Sequence, residues 1–150
     1  MALVSLEEIF RMVLYVDGGC SENGQLDQTK RRMVAVVTDD QGTVLHEYQQ
    51  AGGSNNIAEF MALRDALVWA RLHCADAQPV EIRTDSRNNL AWVASRKLGK
   101  KLNDRATVET LQREIRESVR WLEQFVTVAL TWVPRDENLA GHVIEERYGL

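Results

Sequence analysis

Hydrophobic residues follow two different spacings along this chain of 150 residues, and the spacing changes near residue 55. Short apolar stretches rich in β-branched side chains are typical of strands, whereas apolar positions three and four residues apart indicate helices. The first part of the chain has the strand pattern. We predict strands at residues 12–17, 32–38 and 43–49, with a loop at 21–29 and a hairpin turn at 39–42.

The second part of the chain alternates between helical and strand patterns. A helix is predicted over residues 57–74, with Asn56 as its N-cap and Glu59 as the capping-box partner. Pro79 separates this helix from the next strand. Further on, the pattern predicts a strand at 80–84, a helix to about residue 95 capped by Asp85-Ser86, a basic linker at 96–104, a helix at 107–124, a strand at 125–133 and a helix at 137–148 capped by Asp136.

The element order β-β-β-α-β-α-α-β-α predicts an α/β fold in one domain, with residues 1–10 as a possible N-terminal extension. The hairpins make the first three strands antiparallel, and right-handed crossovers make the later neighbours parallel. The result is a mixed five-stranded sheet with helices on both faces. Ligands of such sheets bind at the carboxyl ends of strands, where we expect Asp17 and Asp85.

The composition is that of an ordinary soluble protein, at 45% hydrophobic and 27% charged residues. Cys20 and Cys74 have no metal-ligand or disulfide-framework spacing, which favours free thiols in a reducing compartment. Charged residues interrupt the first 16 positions, and no apolar run approaches the length of a membrane span. We therefore expect a cytoplasmic protein.

The charge is distributed unevenly along the chain. The net charge is −4, yet residues 87–120 hold nine Lys or Arg and four Asp or Glu, a local net charge of +5. A basic segment such as this one, which we call the basic lobe (residues 87–120), in an otherwise acidic protein is typical of proteins that bind a phosphate backbone beside a metal site. A solvated helix face explains the same composition equally well.

Four short segments carry the candidate chemistry. They are Tyr-Val-Asp-Gly-Gly at 15–19, Asn-Asn-Ile-Ala-Glu at 55–59, Thr-Asp-Ser at 84–86 and Val-Pro-Arg-Asp-Glu-Asn-Leu-Ala-Gly-His at 133–142. The first three place Asp17, Glu59 and Asp85 where a strand ends or a helix begins. Each of these acids alone is a common turn former or helix cap. Brought together by a sheet, they suit divalent-metal phosphodiester chemistry.

In this order, the four segments resemble type 1 ribonuclease H over roughly residue 11 to the end. The resemblance implies a ribonuclease H-like fold and an endonuclease that cleaves the RNA strand of RNA–DNA hybrids with two Mg²⁺ ions. The products would carry 5′-phosphate and 3′-hydroxyl ends. The chain departs from the family pattern at the fourth acid, where it has His142.

The resemblance also implies roles for the site residues. Asp17 would bridge both metal ions, and Glu59 and Asp85 would complete the shell of one. His142 would contact the second metal weakly, which favours Mn²⁺, or would help to protonate the leaving oxygen. Alternatively Glu145 or Glu146, on the same helix face, would supply the missing carboxylate.

Substrate contacts follow from the same resemblance. The family's contacts across the minor groove map onto Gly18, Gly19, Cys20, Asn55 and Asn56, although both asparagines could simply be helix caps. The basic residues Arg96, Lys97, Lys100 and Lys101 lie where some relatives carry a basic protrusion, and we predict that they hold one strand's backbone and set the salt dependence.

The four tryptophans, Trp69, Trp92, Trp121 and Trp132, are predicted to be mainly core residues, and Trp92, close after Asp85 and near the basic linker, is the one that could contact a sugar or base. We expect a monomer or weak dimer without an obligatory protein partner. Two other functions remain open: another nuclease on the same fold, such as a junction resolvase or an exonuclease, and a non-catalytic nucleic-acid-binding module.

Overall fold

The computed structural model describes residues 11–21, 27, 30–75, 77–95 and 104–150. Within these residues, five strands and four α-helices follow one another in the predicted order. The strands are β1 (Met12–Ser21), β2 (Arg32–Thr38), β3 (Val44–Ala51), β4 (Val80–Thr84) and β5 (Val128–Trp132). The helices are α1 (Asn55–His73), α2 (Arg87–Ser95), α3 (Arg105–Glu123) and α4 (Leu139–Tyr148), with a 3-10 turn at Arg135–Glu137 before α4.

The strands form one mixed sheet in the order β3-β2-β1-β4-β5. β1 pairs antiparallel with β2, and β2 with β3, because tight or short connections join them. β4 pairs parallel with both β1 and β5, because helical crossovers return the chain in the same direction. The predicted α/β architecture is therefore confirmed.

The sheet is covered on both faces, which explains the long apolar runs of its central strands. On one face, α1 and α3 pack over a large cluster that includes Leu14, Phe60 and Ile115. On the other face, α4 packs against β1 and β2 through a smaller cluster that includes Val34 and Ile144. None of the helices in the described ranges is long and apolar enough to cross a membrane.

β1 is longer than the sequence predicted. The strand continues from Asp17 through Gly18 and Gly19 to Ser21, because β2 remains paired with it along this whole stretch. The prediction of a turn after Asp17, and of Asp17 at the end of a strand, is therefore wrong. Asp17 nevertheless lies two residues beyond Tyr15, the last β1 residue that pairs with β4.

Two predicted helix caps are also wrong. The N-cap of α1 is Ser54, whose Oγ accepts a hydrogen bond from the Ile57 N–H at 3.2 Å, and Asn56 lies inside the helix. Glu59 therefore stands too far along the helix to be a capping-box partner. The N-cap of α4 is Asn138, held in place by a hydrogen bond from its Nδ2 to the Val16 carbonyl, and Asp136 belongs to the 3-10 turn.

Half of the tryptophan prediction is wrong. Trp121 and Trp132 each keep 38% of their surface exposed, whereas Trp69 and Trp92 pack partly buried against the core. Trp92 stacks on Phe60 with 5.7 Å between ring centroids. Its ring thus belongs to the hydrophobic layer beneath the sheet.

Candidate active site

Three carboxylates that are far apart in sequence meet in this fold. Asp17 from β1, Glu59 from the first turns of α1 and Asp85 from the residue after β4 each offer a ligand atom, and these atoms all lie within 4.8 Å of one another. The sequence predicted these three acids as one site, and the structure brings them together. Their grouping follows from the sheet order, which sets β1 beside β4.

Gly18 explains how α1 comes so close to β1. A Cβ atom at this position would lie 2.2 Å from the backbone carbon of Ala58 and 2.4 Å from the nitrogen of Glu59. These are backbone atoms of α1 and cannot move aside as a flexible side chain would. A glycine after Asp17 thus lets the helix start rest directly on the strand, which places Glu59 beside Asp17.

The end of β4 is held by a set of short-range hydrogen bonds. The carbonyl of Thr84 accepts from the Val133 N–H at 2.9 Å, and the Ser86 N–H donates to Thr84 Oγ1 at 3.1 Å. Ser86 Oγ in turn accepts from the Asn89 N–H at 3.3 Å, which confirms the predicted cap of α2. Asp85 therefore projects from a fixed turn between strand and helix.

The carboxylates crowd one another in a partly buried space. Burial, followed by the charges of Asp85 and Glu59, raises the pKa of Asp17 to about 8. Burial, with the charge of Asp85, raises the pKa of Glu59 to about 7, against the opposing effect of a hydrogen bond with the Ser86 hydroxyl. The guanidinium of Arg135 lowers both pKa values but does not outweigh these effects.

This donor set fits a divalent cation. Hard ions such as Mg²⁺ and Mn²⁺ take carboxylate oxygens as ligands. Ionised together, the three acids concentrate negative charge that the neighbouring Arg135 offsets in part, so a bound cation would relieve their repulsion. The residues present therefore fit a metal centre.

The acids stand where two clefts join. The first, of about 390 Å³, is lined by Asp17, Gly18, Gly19, Cys20, Asn55, Glu59, Asp85, Arg135, Ile144 and Leu150. The second, of about 420 Å³, is lined by Glu59, Asp85, Ser86, Arg87, Asn88, Trp132 and Arg135. An extended ligand could thus run past the acids with Arg135 beside it in both clefts.

His142 lies outside the acidic group. Its side chain is exposed, and its Nε2 donates a hydrogen bond to the Asp136 carbonyl at 2.7 Å, since a carbonyl can only accept. Gly141, also in α4, lies close to Asp17: a Cβ atom there would lie 3.1 Å from Asp17 Oδ2. Glu145 and Glu146 are also exposed, and neither lines the two clefts.

The predicted substrate contacts fall into three groups. Gly18, Gly19, Cys20 and Asn55 line the first cleft, while Asn56 is half-buried in α1. The Cys20 N–H is used inside the protein, because it donates to Asn55 Oδ1 at 2.7 Å. The basic residues Arg96, Lys97, Lys100 and Lys101 lie outside the described residues.

Part of the basic lobe serves the fold rather than a ligand. The Arg116 guanidinium on α3 donates to the carbonyls of Trp92 and Val93 and so ties α3 to α2. Arg105 pairs with Glu109 one turn further along α3. These contacts favour the structural explanation of the local charge for at least these two arginines.

Three residues beside the acids, Arg135, Arg87 and Trp132, were not predicted as site residues from the sequence. Arg87 and Trp132 line the second cleft, and the guanidinium carbon of Arg87 lies 3.8 Å from the centroid of the Trp132 ring. Strand register would have revealed Trp132, but the sequence alone leaves the register open: Trp132 at the end of β5 pairs with Thr84, the residue before Asp85. This pairing places Trp132 next to the acidic group.

The strand order, the helices on both faces and the acidic group at β1 and β4 define an α/β protein with a ribonuclease H-like fold. The RNase H family model matches residues 10–142, and the chain belongs to this family. Among curated proteins, no sequence matches the chain significantly.

Solved structures of similar fold come from several sources. The N-terminal RNase H domain of Rv2228c from Mycobacterium tuberculosis is 26% identical, with a TM-score of 0.60 over 87% of this chain and 92% of that one. LC11-RNase H1, isolated from compost by a metagenomic approach, is 23% identical, with a TM-score of 0.64 over 91% of this chain and 97% of that one. RNase H1 from the halophilic archaeon Halobacterium salinarum is 22% identical, with a TM-score of 0.60 over 89% and 92%.

Proposed function

We propose that this protein is a metal-dependent endonuclease that hydrolyses the RNA strand of RNA–DNA hybrids and leaves 5′-phosphate and 3′-hydroxyl ends. The observation that carries the proposal is the group formed by Asp17, Glu59 and Asp85, within 4.8 Å of one another, in a chain of the RNase H family. A further support is a structure of LC11-RNase H1 in complex with an RNA/DNA hybrid, which is 22% identical to this chain with a TM-score of 0.51 over 85% of this chain and 88% of that one.

The chemistry requires charge neutralisation at a phosphodiester. Two divalent ions bound here would supply Lewis acidity toward the scissile phosphate and an activated water. By the family resemblance, Asp17 would be the ligand shared by both ions, and the charges of both other acids raise its pKa. Glu59 and Asp85 would complete the shell of one ion and orient its waters.

Other residues of the clefts would bind the nucleic acid. Arg135 lines both clefts and offers its guanidinium to a backbone phosphate beside the acids. Asn55 also lines the first cleft, where the hydrogen bond from the Cys20 N–H to its Oδ1 holds its side chain. A hydroxyl on the sugar is the group that distinguishes RNA from DNA, and polar groups at this cleft can recognise it.

Position 142 offers no carboxylate to a second metal ion, because the chain has a histidine there. Under our proposal His142 serves there as a weak ligand or as a proton donor, which requires its ring to leave the Asp136 carbonyl. Glu145 or Glu146 is the alternative source of the missing ligand. Both assignments, like a cytoplasmic location and a monomeric or weakly dimeric state, stay predictions.

The first experiment is cleavage of an RNA–DNA hybrid labelled on either strand, with Mg²⁺ and Mn²⁺ titrated separately. We expect only the RNA strand to be cut, with 5′-phosphate ends, and Asp17→Asn to reduce the rate by at least about 1,000-fold because it removes the shared ligand. Asp40→Asn, an exposed acid in the β2–β3 turn, is the matched control and should leave the rate unchanged.

The same assay separates the alternatives. Binding of the hybrid without cutting in either metal would favour a non-catalytic binding module. Cutting of DNA, or of a branched junction in preference to the hybrid, would favour another nuclease on the same fold.

A further inference from the structure

The presence of a tryptophan at position 132 is not explained by burial of its side chain in the core. It ends the edge strand β5 and keeps 38% of its surface exposed. Its Nε1–H donates a hydrogen bond to the backbone carbonyl of Asp85 at 3.2 Å. An aliphatic or smaller aromatic side chain would also fit at an exposed position of an edge strand. The bond to the Asp85 carbonyl, however, requires a side chain that is long enough and carries a hydrogen-bond donor.

The bond acts on one particular peptide group. The peptide between Asp85 and Ser86 is held on its N–H side by Thr84 Oγ1 at 3.1 Å and on its carbonyl side by Trp132 Nε1. The preceding peptide is held as well, because the Thr84 carbonyl accepts from the N–H of Val133, the residue directly after β5. The backbone on both sides of the Asp85 Cα is thereby fixed, and with it the direction in which the side chain leaves the chain.

The indole is itself restrained. The Arg87 guanidinium lies 3.8 Å from the centroid of its ring, and Arg87 is the first residue of α2. Trp132 therefore contacts the chain on either side of the Ser86 turn, at the Asp85 carbonyl and at the start of the helix. This arrangement holds the turn against the end of β5, while the indole itself stays partly exposed.

We propose that Trp132 is a positioning residue for Asp85: its indole N–H orients the peptide after Asp85 so that the carboxylate stays with Asp17 and Glu59. The inference rests on the proposed function, in which Asp85 is a metal ligand. It assigns Trp132 an effect on metal affinity through Asp85, with no contact to the ion.

The test is Trp132→Phe, which keeps an aromatic ring for Arg87 but removes the donor together with part of the ring. Trp121→Phe is the matched control, since Trp121 is also 38% exposed and also has an arginine against its ring, Arg71 at 4.5 Å, but lines neither cleft. Mn²⁺ binding to the metal-free protein is measured by calorimetry, with thermal unfolding of each variant in chelator.

We expect Trp132→Phe to weaken Mn²⁺ binding by about 3–10-fold, the effect of losing one orienting hydrogen bond, while Trp121→Phe stays within about 2-fold of wild type. Equal Mn²⁺ affinity in wild type and Trp132→Phe would overturn the inference and leave the proposed function intact. A wild-type protein that binds no Mn²⁺ would overturn both.

A second variant guards against a general loss of structure. Thr84→Val removes the other hydrogen bond to the same peptide and should also weaken Mn²⁺ binding. Because both bonds orient one peptide group, the double variant should lose less affinity than the product of the two single losses. A loss equal to that product, or a fall in Mn²⁺ affinity that merely follows the thermal midpoint, would contradict the assigned role.

Discussion

Replacing Asp17 by Asn should stabilise the metal-free protein while it abolishes the proposed activity. Asp17 is the most strongly perturbed acid of the cleft, because burial and the charges of Asp85 and Glu59 oppose its ionisation. Asn has the same shape and cannot ionise, so the variant removes the repulsion and keeps the packing. Residues arranged for charge at an active site commonly cost stability in this way.

The magnitude follows from the pKa of Asp17, about 8 in the folded protein against 3.8 for an ordinary Asp. The folded state holds the proton more tightly than the unfolded state, so stability falls as the pH rises from about 4 to about 8. Taken alone, this difference corresponds to about 4 kcal/mol at pH 7. Because the protein can relax around the ionised carboxylate and admit water, we expect a measured gain of about 1–3 kcal/mol, or a Tm rise of about 3–10 °C.

The assay is thermal unfolding in a metal chelator across the pH range, for wild type, Asp17→Asn and the exposed control Asp40→Asn. The gain from Asp17→Asn should be small near pH 4 and should grow up to about pH 8, whereas the control should show no such trend. Added Mn²⁺ should raise the Tm of wild type more than that of Asp17→Asn. A variant that is no more stable than wild type at about pH 8 would refute the argument that repulsion among these acids is unrelieved in the metal-free protein.

Two further predictions concern positions near Asp17. Gly18→Ala should destabilise the fold by about 3 kcal/mol in chemical denaturation, because the added Cβ would overlap the α1 backbone. Gly19→Ala is the control: a Cβ there would have a side-chain atom as its nearest neighbour, at 3.4 Å, so stability should change by less than about 1 kcal/mol. His142→Ala should lower the ratio of the Mn²⁺-supported to the Mg²⁺-supported cleavage rate by about 3-fold if the imidazole serves the second metal. An unchanged ratio would leave that role to Glu145 or Glu146, whose alanine variants are measured beside it.

The fold could be predicted from hydrophobic spacing because each central strand and each long helix repeats its signal many times. β2 is buried from Met33 to Thr38 and has the continuous apolar run of a strand covered on both faces. Element ends were harder to predict, because they depend on single hydrogen bonds. Ser54 and Asn138 cap their helices in place of Asn56 and Asp136, and nothing in the local sequence ranks one polar residue above its neighbour.

The three acids could be predicted as a site because their segments stand in a recognisable order on the correct elements. The residues that hold them could not, because their contacts join distant parts of the chain. The bond from Trp132 to the Asp85 carbonyl spans 47 positions, and the approach of Gly18 to Ala58 depends on how a helix rests on a strand. Strand register, which a sequence alone leaves open, is needed before either contact can be inferred.

At position 142, where the family pattern has its fourth acid, this chain has a histidine, while the other three acids of the site are present. The start of α4 does reach Asp17, since the Gly141 backbone lies close enough for a Cβ atom to approach Asp17 Oδ2 within 3.1 Å. At position 142, however, the imidazole makes a hydrogen bond to the carbonyl of Asp136, the middle residue of the 3-10 turn before α4. An ionised carboxylate at this position could not make that bond, because a carboxylate and a carbonyl are both acceptors. It would instead be stabilised by a cation in the acidic group. Under the proposed function, the side chain at position 142 therefore decides whether α4 provides a metal ligand or an internal hydrogen bond. His142 binds a second ion only if that ion competes successfully with the Asp136 carbonyl for the imidazole.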